Sequence, residues 1–351
     1  MKKCSFLKKV LLSILIFTLV FGMCACGGGS DEGEGEGAAN ADGFYEKPEV
    51  TLRLATTTMK TMPACAAAEW FCNEIYDRTK GRIKIEFYPE RQLGETNDLV
   101  PLLVDGSLDM AALDISFLSM FTNTLDVLQT PFLLTDYEKE AKAFKSPEAR
   151  ALFDKTGEEA GMQILSAGEY GMRYLANNIR PINSTADMEG IKFRVVPSEM
   201  ILDAIGSCGG NPVALAYGEI YTALQSGVID GEEINYTSVY SEGHYEVIKY
   251  FSNVALWPFP SVIVMSDAAW AALSAEDQEL FMTVANEATD YNMTLLDEYT
   301  ERAKETMIEA GVEINDVADP ESFQKATAHI KENLKQKDEL TKAFIEYCES
   351  L

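Results

Sequence analysis

The stretch SAEDQELFMTVANEATDYNMTLLDEYTERAKETMIEA, residues 274–310, decides the fold, because it runs through 37 positions without a proline or a glycine. Ser274 and Asp277 form the pattern of a capping box at its start, and Leu273 stands where a hydrophobic staple would pack. A single helix of this length would rise about 55 Å, which is more than one lobe needs. The sequence therefore predicts one helix lying across two lobes. Two shorter helices with a break near residues 289–292 are the alternative.

A regular alternation of strand and helix patterns precedes this helix. Residues 50–55 (VTLRLA) and 82–88 (RIKIEFY) alternate apolar and polar side chains, as half-buried strands do. Pro63 marks the start of a helix between them. Further strands are expected at 108–113, 162–166, 191–195, 228–232 and 260–265. This rhythm predicts an α/β protein with mainly parallel sheets, and 351 residues suffice for two lobes with separate cores.

The N-terminus is typical of an exported lipoprotein. Residues 1–25 contain four lysines and an apolar segment at 10–21. This segment is too short to cross the membrane, because a helix needs about 20 residues to span the bilayer core. Cys26 follows a small residue and precedes a Gly-Ser run, which resembles a lipobox. We expect a lipid to be attached to Cys26. The alternatives are attachment to Cys24, or an ordinary secretory signal without a lipid. Residues 26–49 are rich in glycine and acids and predict a flexible tether.

The charge balance excludes two classes of partner. The chain has 29 basic and 56 acidic residues, and loss of residues 1–25 would move its net charge from −27 to about −31. Such a field attracts neither nucleic acid nor an anionic lipid surface. An anionic ligand would therefore have to be held by local arginines.

Metal and catalytic signatures are missing from the sequence. Cys65 and Cys72 are about 10 Å apart along a predicted helix, the chain has two histidines, and there is no CxxC pair. We therefore expect no metal and no cofactor. Neither a GxSxG elbow nor an HExxH motif is present, so an extracellular hydrolase is the weaker hypothesis and an enzyme is not expected.

Several motifs, in a consistent order, resemble one family. They are DGSLDM (105–110), RPINSTADMEGIKFRV (180–195), AYGEIYTALQSGVIDG (216–231) and HYEVIKYF (244–251). Together they are similar to the solute receptors of TRAP transporters, the DctP family, over residues 50–340. The resemblance implies a type II periplasmic-binding-protein-like fold, with mixed sheets, two strand crossovers and a long helix spanning both lobes.

The same resemblance implies the domain boundaries and the partners. Lobe I is expected at 50–170 plus 260–299, and lobe II at 171–259 plus 300–351. The ligand would be a small organic carboxylate, bound between the lobes and delivered to TRAP membrane permease subunits at the outer face of the cytoplasmic membrane. A lipoprotein that feeds a sensor kinase or another type of transporter is the alternative.

The resemblance assigns the main anionic contact to Arg194, at the end of IKFRV. A guanidinium offers two parallel donors to a carboxylate, and the carboxyl end of a strand is where open α/β sheets bind ligands. Arg173 matches a second family arginine, for which ligand contact and a structural pairing of the lobes both stay open. Tyr217 and Trp257 are expected to place rings on the cleft, with Phe259 beside them.

Departures from the family pattern occur in DGEEIN. Glu233 matches the family glutamate, while Glu232 replaces the usual glutamine and Ile234 the usual asparagine. We expect Ile234 to add apolar surface to the site. The two adjacent acids would point to opposite faces of the strand, with one facing the cleft, and we expect them to be solvated. A cation seated by these acids is the alternative, since the resemblance includes relatives that bind metal-bridged ligands.

Lobe I is expected to supply hydroxyl groups and an acid. Thr57 follows the first strand, and Asp114 occupies a site-facing family position that suits a ligand hydroxyl or amine. Asn97 stands where some relatives carry an arginine. Because no second cation is evident in lobe I, the sequence favours a monocarboxylate, such as a sugar acid, a keto acid or an amino acid.

Overall fold

The computed structural model describes residues 43–351. The predicted signal segment at 1–25, the lipid acceptor Cys26 and most of the predicted tether lie outside this range. The last residues of the predicted tether are hydrogen-bonded to the turn before the strand Ile83–Tyr88. Tyr45 N donates to Lys80 O at 2.8 Å and Glu49 N donates to Arg82 O at 2.8 Å. The prediction that the tether continues to residue 49 is therefore wrong at its C-terminal end.

The described residues form eleven strands and eleven α-helices, each numbered in chain order. Strands β1 to β11 are Val50–Ala55, Ile83–Tyr88, Met110–Asp114, Met162–Glu169, Tyr174–Asn177, Lys192–Val195, Asn211–Ala214, Gly231–Ile234, Tyr250–Asn253, Pro260–Ser266 and Glu313–Asp316. Helices α1 to α11 are Pro63–Arg78, Thr96–Val104, Tyr137–Phe144, Pro147–Ala160, Glu199–Ser207, Ile220–Ser226, Tyr236–Ser241, Asp267–Ala272, Ala275–Glu309, Pro320–Lys337 and Glu339–Ser350. Within this range, none of the helices has both the length and the apolar character needed to cross a membrane.

Two mixed sheets define two lobes, as predicted. The sheet of lobe I has the order β2-β1-β3-β10-β4, in which β10 is antiparallel to both of its neighbours and β1 is parallel to β2 and β3. The sheet of lobe II has the order β11-β9-β5-β8-β6-β7, in which β5 is antiparallel to β8 and β9. The carboxyl ends of the parallel strands thus form one edge of each sheet.

Helix α9 confirms the prediction from residues 274–310. It is one helix of 35 residues, and the side chain of Ser274 caps it by accepting from Asp277 N. Phe281 and Val284 are buried in a core cluster of lobe I, whereas Ala303 and Met307 are buried in a cluster of lobe II. The break considered near residues 289–292 does not occur, and Asn292 Oδ1 in that turn accepts from Glu169 N of β4 at 2.7 Å.

The chain passes between the sheets at β4–β5 and at β9–β10, and these two crossover segments pair with each other. Arg173 N donates to Trp257 O and Leu256 N donates to Arg173 O, both at 2.9 Å, and Tyr170 N donates to Phe259 O at 3.1 Å. The pairing places the residues of both crossovers beside the cleft.

The last helix corrects the expected extent of lobe II. Helix α11 packs against α3 and α4 of lobe I, and Phe344, Ile345 and Cys348 belong to the core cluster that contains the β3 and β4 side chains. The chain therefore returns to lobe I after α10, because the apolar face of α11 is covered by lobe I helices rather than by the second sheet.

Gly231 provides a test of the β5–β8 pairing in lobe II. A β-carbon there would overlap with the carbonyl oxygen of Ala176 and lie 2.7 Å from Asn177 Cβ. We expect Gly231→Ala to lower the free energy of unfolding by about 2 kcal/mol or more, because backbone atoms cannot move aside without breaking the pairing. Urea unfolding of both proteins measures the change.

Gly206 in α5 is the matched control, since a β-carbon there meets no atom within 4 Å. Gly206→Ala is expected to raise the free energy of unfolding by about 0.5–1 kcal/mol through its helix propensity. Equal effects of the two substitutions would contradict the described pairing.

Candidate functional site

A cavity lies between the lobes, at the edge where the parallel strands end, and its empty space, including the part open to solvent, is about 420 Å³. Such an edge is the usual place for ligands in open α/β sheets. The lining residues come from both lobes and both crossovers: Thr57, Thr58, Met62, Thr96, Asp114, Phe117, Tyr170, Arg173, Arg194, Val196, Tyr217, Ser238 and Phe259.

Lobe I contributes a row of hydroxyl groups. Thr57 and Thr58 directly follow β1, and Thr96 is the first residue of α2, which follows β2. Thr57 Oγ1 and Thr96 Oγ1 are 3.2 Å apart, and Thr58 Oγ1 donates to Tyr170 Oη at 3.4 Å. A ligand with several hydroxyl groups would find donors and acceptors along this wall.

Arg194 is a buried cation with an unused donor. It lies near the end of β6 with 1% of its surface exposed, and its Nε donates to Leu215 O at 3.0 Å. Its Nη2 is buried without a hydrogen-bond partner in the described part of the chain. Burial lowers the pKa of the guanidinium, while Glu233 opposes the shift. A buried unpaired donor is costly, and a ligand carboxylate in the cavity would satisfy it.

Arg173, in contrast, is already paired. Its Nε and Nη2 donate to the side chain and the main-chain oxygen of Glu233, and its guanidinium lies 4.0 Å from the ring centre of Phe259. Glu233 also accepts from Val196 N at 3.2 Å. Arg173 is therefore paired with Glu233 of lobe II, and it also lies at the wall of the cavity.

Asp114 brings a titratable acid to the same cavity. It ends β3, is 9% exposed, and its Oδ1 accepts from Ser116 N at 3.1 Å. Burial raises the pKa of its carboxyl to about 7, although Ser116, Arg173 and Arg194 oppose the shift. Near neutral pH this carboxyl can therefore donate or accept a hydrogen bond.

Five of the nine predicted binding residues line the cavity: Arg194, Arg173, Tyr217, Asp114 and Thr57. Two expected polar residues do not. Glu233 stands behind Arg173, and Asn97 is exposed one position after the lining residue Thr96. The acids of DGEEIN are not solvated, because Glu232 is also buried and lies 3.0 Å from His244 Nδ1.

The expected apolar contacts need correction as well. Ile234 is fully buried in the core of lobe II and adds no surface to the cavity. It points away because neighbouring residues of a strand alternate between faces, and Glu233 takes the face toward Arg173. Trp257 is buried in another cluster, and Phe259 supplies the ring that lines the cavity.

Several lining residues were missed at the sequence level. Thr96 begins the helix after β2, and Tyr170 directly follows β4. Ser238 and Phe117 lie in the first turn of the α-helix or 3₁₀ helix that follows β8 or β3. A position just after a predicted strand could therefore have indicated these four residues, whereas Met62 lies in the loop before α1 and carries no such signal. Within residues 43–351, no three His, Cys, Asp or Glu side chains are grouped to hold a metal ion.

Two lobes joined by paired crossovers and a spanning helix, with a polar cavity between them, define the class of periplasmic-binding-protein-like solute receptors. The sequence profile of the bacterial extracellular solute-binding proteins of family 7, DctP, matches residues 54–338. The chain belongs to this family, the solute-binding proteins of TRAP transporters, and the resemblance noted in the motifs is confirmed.

Individual relatives support the assignment. A solute-binding protein of Chromohalobacter salexigens is 32% identical over 271 residues, which are 75% of this chain and 78% of that protein. A TRAP periplasmic solute-binding protein of the same organism, solved with bound D-glucuronate, has a TM-score of 0.80 at 28% identity and covers 85% of this chain and 99% of its own. A Bradyrhizobium homologue solved with D-galacturonate has a TM-score of 0.82 at 28% identity, covering 86% and 100%.

Ionisation of Asp114 should lower the free energy of unfolding as the pH rises from about 4 to about 7. Its pKa rises from 3.8 to about 7 on folding, so in this interval the folded state binds more protons and stability falls with pH. Asp114→Asn keeps an acceptor for Ser116 N and removes the titration. Between pH 4 and 7.5 the wild type should lose roughly 3–4 kcal/mol more than the variant, as measured by urea unfolding. Parallel pH profiles would show that Asp114 does not titrate in this way.

Proposed function

We propose that this protein is the extracytoplasmic receptor of a TRAP transporter for a sugar monocarboxylate of the hexuronate type. The observation that supports the proposal most directly is the buried Nη2 of Arg194, which lacks a partner at the wall of an inter-lobe cavity rich in hydroxyl groups. Receptor function requires only that the lobes close on a ligand, and we assign no catalytic role to the site.

The charges in the cavity favour one carboxylate over two. Of the two arginines that line it, Arg173 is paired with Glu233, whereas Arg194 has no carboxylate within ion-pair distance in the described residues and has a buried donor without a partner. Asp114 on the opposite wall would repel a second carboxylate whenever it is ionised, yet it can bond to a hydroxyl in either protonation state. A dicarboxylate would find no second free cation among the described lining residues.

The walls also fit a sugar ring. Threonine hydroxyls from lobe I can exchange hydrogen bonds with ring hydroxyls, and the rings of Phe117, Tyr217 and Phe259 offer apolar surface for the C–H face. The glucuronate and galacturonate bound by the two structural neighbours support this ligand class.

The proposal also covers where the protein is located and which membrane proteins it contacts. We assign residues 1–25 to a lipoprotein signal and Cys26 to the lipid acceptor, which would hold the protein at the outer face of the cytoplasmic membrane. The acidic, Gly-rich residues that follow would let the lobes move clear of that surface. Closure of the lobes would create the surface that TRAP permease subunits recognise before they accept the ligand.

Thermal unfolding of the ligand-stripped protein tests the ligand class. D-Glucuronate or D-galacturonate at 100 times its dissociation constant should add about 2.7 kcal/mol, a shift of several degrees. D-Glucose and D-galactose, which lack the carboxylate, should give no shift at the same concentration, and succinate should give a smaller one. Arg194→Ala should abolish the shift by the uronates, because it removes the unpaired donor.

Arg150→Ala is the matched control. Arg150 pairs with Asp154 within α4 at 2.8 Å and is remote from the cavity lining, so this variant should keep the full response. A response to neutral sugars that survives in Arg194→Ala would overturn the proposed carboxylate site.

A further inference from the structure

An ion pair joins the two lobes at the edge of the cavity. Arg91 lies between β2 and α2 of lobe I, and Glu242 follows α7 of lobe II. Arg91 Nη2 and Glu242 Oε1 are 2.9 Å apart, and the two side chains are 22% and 14% exposed. Because both are largely withdrawn from water, the pair is stronger than an ordinary surface ion pair.

The same arginine touches a residue of the binding site. Its guanidinium lies 5.1 Å from the ring centre of Tyr217, and Tyr217 lines the cavity. Arg91 Nε is also 3.2 Å from Glu95 Oε1. A β-carbon on Gly218 of lobe II would lie 2.6 Å from that same Glu95 oxygen, so the lobes meet closely here.

The backbone around Arg91 is shaped to present this side chain to lobe II. Glu90 and Arg91 both adopt the left-handed region, with φ of 57° and 61°, which is costly for residues with a β-carbon. Glu90 N donates to Thr58 O at 3.1 Å and Arg91 N donates to Thr56 O at 3.3 Å. The turn that carries Arg91 is thus bonded to the loop that carries the threonines of the cavity.

The contact depends on closure of the lobes. Arg91 and Glu95 belong to one sheet and its connections, whereas Tyr217 and Glu242 belong to the other, so rotation about the crossovers would separate them. Closure without Arg91 would bring Glu95 and Glu242 together, and Glu242 does raise the pKa of Glu95, after the larger effect of burial. The arginine therefore both attracts Glu242 and removes a repulsion between the lobes.

We propose that Arg91 is a positioning residue that latches the closed lobes and holds Tyr217 over the bound ligand. The proposal rests on the receptor function described above. In this arrangement the ligand leaves only after the Arg91–Glu242 pair has opened, so the latch acts on the dissociation rate. Arg91 does not itself line the cavity, and its effect on affinity passes through Tyr217 and the lobe contact.

Stopped-flow measurement of D-glucuronate binding tests the latch. Arg91→Gln should raise the dissociation rate constant about tenfold and change the association rate constant much less, as expected for loss of a partly buried pair. Glu242→Gln should have a smaller effect than Arg91→Gln, because it removes one of the two carboxylates that would otherwise repel. Raised salt should speed dissociation from the wild type more than from Arg91→Gln.

Two further variants separate the latch from a general loss of structure. Arg150→Gln is the matched control, since Arg150 also pairs with a carboxylate and lies over a ring, Phe153 at 5.3 Å, but makes these contacts within lobe I. It should dissociate like the wild type. The charge exchange Arg91→Glu with Glu242→Arg should recover much of the slow dissociation that either single change loses.

A dissociation rate of Arg91→Gln within twofold of the wild type, or an exchange no better than the single variants, would overturn the latch. If the wild type binds no sugar acid, the proposed function fails, and spin labels on Asn97→Cys in lobe I and Ser226→Cys in lobe II decide the latch separately. The wild type should then populate a short inter-label distance that Arg91→Gln loses. Its persistence in the variant, or its absence from the wild type, would refute the latch.

Discussion

A single buried carboxylate, that of Glu169, joins the two segments through which the chain passes between the lobes. Its Oε1 accepts from Gly171 N at 2.6 Å on one crossover and from Phe259 N at 3.0 Å on the other. Burial, and next the charge of Glu169, raise the pKa of the neighbouring Glu140 well above its ordinary value. A proton retained on Glu140 would allow it to donate to Glu169 and would bind α3 to the same junction.

The binding site inherits its geometry from this junction. Tyr170 and Arg173 follow Glu169 on the first crossover, Phe259 N donates to Glu169 from the second, and all three residues line the cavity. A rotation of the lobes about the crossovers would leave these residues near the axis, while Asp114 and Arg194 would move with their own sheets. The junction thus holds a fixed part of the site, and closure brings the two mobile walls to it.

The fold was predictable where the sequence carries long or strongly patterned signals. The 35 residues of α9 have a cap and no breaker, and β1 was predicted with its observed bounds. The strands β5, β7, β9 and β11 were not predicted, because four residues show little periodicity and their pairing is non-local. The equally short β6 was predicted, since an apolar run there ends shortly before Pro197. The return of α11 to lobe I was also missed, since an amphipathic helix does not specify which surface will cover it.

The candidate site was predictable in part, for similar reasons. Arg194 and Asp114 stand at strand ends, a position that sequence pattern locates. Ile234 was misplaced because the face of a strand depends on its register, and a shift of one residue reverses every side chain. Trp257 and Phe259 are two positions apart on an irregular crossover, where no periodicity predicts which ring reaches the cavity.

The net negative charge of this protein would repel an anionic ligand, and the charges around the cavity reduce that repulsion. The net charge is −27, but charges farther away than about 8 Å are largely screened by salt at physiological ionic strength. What the ligand meets is a local field, in which burial strengthens each charge because water is excluded. Glu233 pairs with Arg173 there, and in the proposed function Arg194 is the contact for the one negative charge of the ligand. At the rim, closure would force acids of the two lobes together, and Arg91 lies between them. In the proposed scheme the two arginines act at successive steps: Arg194 on the ligand, and Arg91, which lies between Glu95 of its own lobe and Glu242 of the other, on the closed state.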